Sequence, residues 1–190
     1  MSDYGPATPV PIFQHVAEFV RLLNLYKERR PMRTLEVGSY HGGTLYHWLQ
    51  HAPFGAVVVS VDTYTAADNR SLYPDWTPEG VTLHVIEGDS NSPATAEQAA
   101  EHGPFDWTFI DAGHYYHEVK ADWTLYKPLT APGGVVAFHD ILPGNRYHPE
   151  IEVNRLWREI QAEGYETEEI IHDAAAIWGG IGVVVLRDYK

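Results

Sequence analysis

The stretch TLEVGSYHGGTLYHWLQH (residues 34–51) passes from an apolar run, through glycines at 38, 42 and 43, into a helical pattern. A strand that bends through glycine straight into a helix is the opening unit of an α/β sheet. The same rhythm then repeats along the chain. Strands are expected at AVVVSVD (56–62), VTLHVIEGD (81–89), FDWTFID (105–111) and GGVVAFHD (133–140). Helices are expected at PATAEQAAEH (93–102), YHEVKADWTLYKPL (116–129) and EVNRLWREIQAEG (152–164). The strands are continuously apolar rather than alternating, which fits a parallel sheet covered on both faces.

Working outward to the ends, residues 1–11 hold three prolines and a glycine and read as an extended arm. From Ile12 to Arg30 apolar residues recur at helical spacing, and Pro31 stops that helix. At the other end YETEEIIH (165–172) and GIGVVVLRD (180–188) are strands with no helix between them. The last strand is therefore expected to be antiparallel. The fold expected is α/β: a Rossmann-like, mostly parallel seven-stranded sheet with helices on both faces and an antiparallel last strand, in one domain over residues 1–190.

Composition limits the partners. With 190 residues and 44% apolar content the chain can bury a real core. A net charge of −13 argues against a nucleic-acid partner, since binding phosphate backbones needs clustered Lys and Arg. The absence of cysteine removes disulfides, thiolate metal sites and thiol nucleophiles. No apolar run approaches the ~20 residues that span a bilayer, and no secretory pattern opens the chain. A cytoplasmic protein acting on a small molecule, away from membranes, is the expectation.

Open parallel sheets bind ligands at the carboxyl ends of their strands, near the point where strand order reverses. Glycines after the first strand let backbone approach a ligand, and free N–H groups at a helix start can receive an anionic group. Asp62, ending the next strand, is placed to accept hydrogen bonds from a ribose diol. Together they suggest a nucleoside-bearing cofactor; an ordinary strand–helix turn is the other reading. The loop is G-x-x-x-G rather than G-x-G-x-x-G, and Glu36 stands where a carboxylate would sit badly beside a pyrophosphate but well beside an amino group. A nucleotide-dependent oxidoreductase is thus the weaker reading, and a cofactor-binding module without catalysis is a third.

With these residues in view, the sequence resembles the class I S-adenosylmethionine-dependent methyltransferases. LEVGSYHGGT is similar to their first motif, VSVDTY to the second, IEGDS to the third, FDWTFIDAGHYYHEVKADW to the fourth and LTAPGGVVAFHDI to the strand that follows. The portion IDAGHYYHEVKADW…PGGVVAFHD is closest to the sugar and antibiotic O-methyltransferase group. The resemblance implies S-adenosylmethionine as cofactor and a small-molecule methyl acceptor. It implies that Glu36, Gly38 and Ser39 line the methionine end, with Gly42 and Gly43 letting the helix start close by. It further implies Asp62 on the ribose hydroxyls, Thr63 or Tyr64 beside the adenosine, Asp89 and Ser90 near the adenine, and Asp111 near the transferred methyl.

Two strands end in titratable groups: Asp111 and His114 after the fourth, His139 and Asp140 after the fifth. Methyl transfer to oxygen usually needs the acceptor's proton removed. A histidine of near-neutral pKa can take it, which makes His114 and His139 candidate bases alongside Asp111. A divalent cation can instead lower the acceptor's pKa, and Asp111, His139 and Asp140 are the candidate ligands. Several natural-product O-methyltransferases carry an acidic pair after the fifth strand, and here one member is imidazole. The bland alternative is that such acids only cap loops.

Other residues carry weaker readings. His117 and Glu118 open a helix, where solvation or the helix dipole would explain them. His41 suits substrate contact or loop packing equally. Trp48, Trp107, Trp123 and Trp157 fall in apolar patterns and are expected in the core. Asn145, Arg146, Tyr147 and His148 lie in a loop after a functional strand end, and Trp178 stands in a turn that could reach the pocket rim. The arm before Ile12 is too short for a dedicated lid, so a homodimer partner is a candidate source of one.

Overall fold

β-Branched runs supply much of the sheet, and glycine follows β1 and β3 within one residue. The computed structural model describes residues 9–63, 69–144, 148–173 and 175–187. Its strands are β1 (Arg33–Val37), β2 (Val57–Asp62), β3 (Thr82–Glu87), β4 (Phe105–Ile110), β5 (Thr130–His139), β6 (Glu166–Ile170) and β7 (Ile181–Val185). Its helices are α1 (Val16–Arg29), α2 (Gly43–His51), α3 (Tyr73–Trp76), α4 (Pro93–Ala100), α5 (Tyr116–Tyr126) and α6 (Val153–Ala162). The seven strands run in the order β3-β2-β1-β4-β5-β7-β6. All neighbouring pairs are parallel except those of β7, which is antiparallel to both β5 and β6. The expected mixed sheet is therefore present, and its last strand fills the gap between β5 and β6.

Alternation along each strand sorts side chains to two cores. Leu35, Val37, Val59, Val61, Val136 and Phe138 pack with α4, α5 and α6 on one face. Val58, Trp107, Phe109, Val135 and Ala137 pack with α1, α2 and α3 on the other. Phe19, Leu22, Leu23 and Tyr26 of α1 are all buried, at the three-and-four spacing that gives a helix one apolar stripe. Trp48, Trp107, Trp123 and Trp157 are core residues, none more than 3% exposed. The last helix is held close to the sheet because Gly182 on β7 leaves room for the Trp157 ring.

Two features of the chain's course matter for the site. The first helix begins at Val16, not Ile12, and its first turn closes with Phe19 N–H on the His15 carbonyl at 2.9 Å. Pro9 and Pro11 disfavour helix ahead of it, and residues 12–15 run without helical structure, bending at Gln14. The polar stretch after β2 also carries structure: a 3₁₀ turn at Arg70–Leu72 leads into α3, whose Tyr73 and Trp76 are buried.

Candidate active site

Strand order reverses between β1 and β4, so the loops leaving those strands diverge and open a crevice. They are tied at their roots: Gly38 N–H donates to the Val61 carbonyl and Asp111 N–H to the Val37 carbonyl, each at 2.8 Å. Gly38 has φ +91°, and a side chain there would collide with the backbone of Asp111 and Ala112. The first glycine thus serves the close approach of two loops. Gly42, φ +84°, is backed by the Tyr73 and Trp76 rings, and Gly43 by the Pro11 carbonyl.

Two cavities occupy the crevice. One, of about 340 Å³, is lined by Asp62, Thr63, Asp89, Ser90, Asn91 and Glu118, among others. The second, of about 400 Å³, is lined by residues that include Gln14, His41, Thr44, His139, Asp140 and Trp178. Gly38, Tyr40, Asp111 and His114 border both, so the cavities meet there. In the first, an Asp62 carboxylate oxygen accepts the Tyr40 N–H at 2.6 Å, which fixes that acid at the cavity wall. Asp89 accepts the Asn91 N–H at 2.9 Å, and the Asn91 amide donates to Asp122 at 2.8 Å. Burial pushes the Asp122 carboxyl up to about 7 against its hydrogen bonds from Ser90 and Asn91.

In the second cavity the strand-end groups converge. His139 Nδ1 lies 3.2 Å from Asp111 Oδ1 and 3.3 Å from Asp140 Oδ2. His114 Nδ1 lies 3.2 Å from the same Asp140 oxygen. Burial alone would discharge His139, but the Asp111 charge and hydrogen bonds to both acids outweigh it and push its pKa up to about 10. Asp140 sits with φ +62°, a left-handed conformation that aspartate tolerates and that often marks functional sites. Burial would raise its pKa, yet His139, His114 and the Gly179 N–H hold it below the usual carboxylate range. One ligand atom each from Asp111, His139 and Asp140 lies within 4.8 Å of the others, a spacing that can hold a metal ion. Among the described residues, His139 Nε2 is buried without a hydrogen-bond partner.

The sequence reading places most of these residues. Ser39, Gly38, Gly43, Asp111, His114, His139 and Asp140 border the second cavity, and Asp62, Thr63, Asp89 and Ser90 the first. His41, His148 and Trp178 also reach the second cavity. Glu36 does not border either cavity: it is fully buried on β1 behind the wall, where Trp48 Nε1 donates to it at 2.8 Å. Gly42 likewise stands behind the wall. Glu118 closes the first turn of α5 by accepting the Tyr115 N–H at 3.1 Å, as its place at a helix start suggested. Tyr64, Asn145, Arg146 and Tyr147 lie outside the described residues.

Two contributors escape sequence reasoning. Gln14 donates to Asp111 Oδ2 from the bend before α1. Glu18, 1% exposed on α1, accepts the His172 and Gly180 N–H groups at 2.9 Å each. That seat fixes the Gly179-Gly180 turn, whose first N–H reaches Asp140 at 3.1 Å. Both look like ordinary polar positions of an amphipathic helix, and only tertiary packing gives them partners.

A doubly wound sheet of this strand order, with ligand-sized cavities at its switch point, defines a Rossmann-like domain whose crevice can hold a small molecule. Residues 35–141 match the model of the Methyltransferase domain family, and the chain belongs to that family. It is similar to the O-methyltransferase ankF of Aspergillus thermomutatus, 25% identical over 125 residues covering 62% of this chain and 49% of that protein. It is also 28% identical over 120 residues to the uncharacterized protein y4gI of Sinorhizobium fredii, covering 58% of this chain and 13% of that one. The chain thus spans less than half the length of these curated relatives. Among solved structures, the O-methyltransferase TomG of Streptomyces achromogenes in complex with SAM superposes with TM-score 0.68 at 20% identity, covering 96% of this chain and 83% of that one. The mycinamycin-pathway methyltransferase MycE, in complex with Mg, SAH and mycinamycin VI, gives 0.64 at 19%, covering 96% and 52%.

Proposed function

We propose that the protein transfers a methyl group from S-adenosylmethionine to an oxygen of a small molecule, a sugar, antibiotic or other secondary metabolite. The observation that carries this reading is the meeting of two cavities at Asp111 and His114. The Asp62 and Asp89 cavity suits the adenosine, and the Gly38 to Thr44 wall suits the amino-acid end. The acceptor then approaches from the second cavity, in line with the sulfonium methyl. Family membership and likeness to O-methyltransferases support the same chemistry.

In the step itself the acceptor oxygen forms a bond to the methyl carbon as the carbon–sulfur bond breaks, leaving S-adenosylhomocysteine. The hydroxyl proton needs a receiver. His114 is the better placed histidine, because its Nδ1 is held by Asp140 and its half-exposed ring borders both cavities. His139 is locked between two carboxylates and serves as the hub that orients Asp111 and Asp140.

The donor set also fits a divalent cation: Asp111, Asp140 and a deprotonated His139 would hold it, the ion taking the place of the proton that His139 otherwise carries between the two acids. Such an ion supplies positive charge that lowers the acceptor's pKa. MycE was solved with Mg. The test of the function is transfer of labelled methyl from S-adenosylmethionine to a panel of hydroxylated acceptors. Formation of a methyl ether, lost in His114→Gln, is expected. Cofactor binding without transfer to any acceptor would contradict it. Manganese titration followed by paramagnetic resonance tests the ion site, with binding expected in the parent and lost in Asp140→Asn.

A further inference from the structure

Glu18 is the third residue of α1 and only 1% exposed. Both of its carboxyl oxygens are used: one accepts the His172 N–H and the other the Gly180 N–H, at 2.9 Å each. His172 follows β6 and Gly180 precedes β7, so one side chain gathers the neighbouring ends of two strands. The His172 ring also stacks on His15, the residue before α1, with centroids 4.4 Å apart. The start of α1 is thereby fastened to the C-terminal strands by two separate contacts.

What stands next to Gly180 gives this fastening its reach. Gly179 and Gly180 have φ +92° and +77°, and neither belongs to a helix or strand. The Gly179 N–H donates to Asp140 Oδ1 at 3.1 Å. The Gly179 and Gly180 carbonyls accept the Leu142 and Ile141 N–H groups, at 3.0 and 3.3 Å. The two glycines thus grip residues 140–142, and Asp140 is itself left-handed at φ +62°. A residue other than glycine keeps such a conformation only where its surroundings impose it. Trp178, directly before the glycines, borders the acceptor cavity with its ring edge-on to that of His139, centroids 6.5 Å apart.

We infer that Glu18 is a positioning residue for the transfer: it acts through Gly179 and Gly180 on Asp140, and through Asp140 on His114, the proposed receiver of the acceptor's proton. Without Glu18 the Gly180 N–H loses its partner, the glycines lose their seat, and the carboxylate that aims His114 loses the Gly179 donor. Glu18 borders neither cavity, so its effect falls on the step rather than on binding. This rests on the methyl-transfer reading above.

The test uses the full chain and an acceptor that the parent methylates. Glu18→Gln keeps the size of the side chain but can accept only one of the two N–H groups, its own NH2 facing the other. Glu18→Asp keeps both oxygens and draws them back by one methylene. Each variant is expected to lower kcat about tenfold, the worth of one hydrogen bond. S-adenosylhomocysteine affinity and the acceptor's KM stay within about twofold. Rates are taken per cofactor site counted by calorimetry, so unfolded protein does not enter. In an Asp140→Ala background the same substitutions cost less than about twofold, because the path through Asp140 is already cut. A parental kcat per site in both variants overturns the inference. So does an undiminished tenfold loss on top of Asp140→Ala, which would place the action of Glu18 elsewhere. Loss of cofactor sites in both variants overturns it too, leaving Glu18 as a support of the fold alone. A parent that binds S-adenosylhomocysteine and methylates no acceptor removes the methyl-transfer reading and this inference with it.

Discussion

Glu36→Gln should make the protein's stability less dependent on pH. Glu36 is fully buried beneath the glycine loop, and one of its carboxylate oxygens has no hydrogen-bond partner among the described residues. Burial pushes its pKa from 4.5 up to about 7, against hydrogen bonds from Thr44, Ser39 and Trp48. A carboxyl whose pKa is raised by folding favours the folded state below the unfolded value, and that contribution is lost as pH rises through the folded one. The window therefore runs from about 4.5 to 7. A difference of that size corresponds to about 3 kcal/mol between the two ends. Glutamine keeps an oxygen for the Trp48 N–H and removes the titration. The stability of the variant relative to the parent should accordingly rise by about 2–3 kcal/mol between pH 5 and pH 8. Urea unfolding followed by circular dichroism at both pH values measures it, and every other titrating group cancels in the difference. A relative stability identical at the two values would refute the argument that burial controls Glu36.

Four further outcomes follow from the geometry. Gly182→Ala places a methyl 2.6 Å from the Trp157 ring, and thermal melts should show a loss of about 1–3 kcal/mol. Asp140→Ala should lower turnover far more than cofactor affinity, since it holds both histidines; equal activity in variant and parent would remove Asp140 from the mechanism. His114→Gln should reduce kcat by about 10²–10⁴-fold, the usual worth of a positioned base, with S-adenosylhomocysteine affinity retained in calorimetry. Gly38→Ala should unseat the paired loops and weaken cofactor binding, and a crystal structure showing Asp111 unmoved in the variant would contradict that.

The sheet was legible because its strands are buried on both faces and so read as unbroken apolar runs, from AVVVSVD to GGVVAFHD. The strand-end acids and histidines were legible for the same reason, since titratable groups stand out where such runs stop. What the sequence hid depends on long-range packing. Ile12 and Phe13 continue the apolar spacing of α1, which extends the expected helix four residues too far; Ile12 instead packs against the core from outside the helix, and Phe13 against Tyr40 and His41 of the loop after β1. Gln14 carries no local signal, as its partner lies 97 residues away. Glu36 sits in the family's first motif, but alternation on β1 turns it behind the wall, toward Trp48. Gly38 and Gly42 were expected to let backbone approach a ligand; in the fold, protein backbone and aromatic rings fill the space beside them.

Calorimetric titration of the protein with S-adenosylhomocysteine tests the central claim most directly. The account predicts saturable binding at one site, weakened at least tenfold in Asp62→Ala because that acid is fixed at the cavity wall by the Tyr40 N–H. No heat in the parent, or undiminished affinity in a folded Asp62→Ala variant, would contradict it.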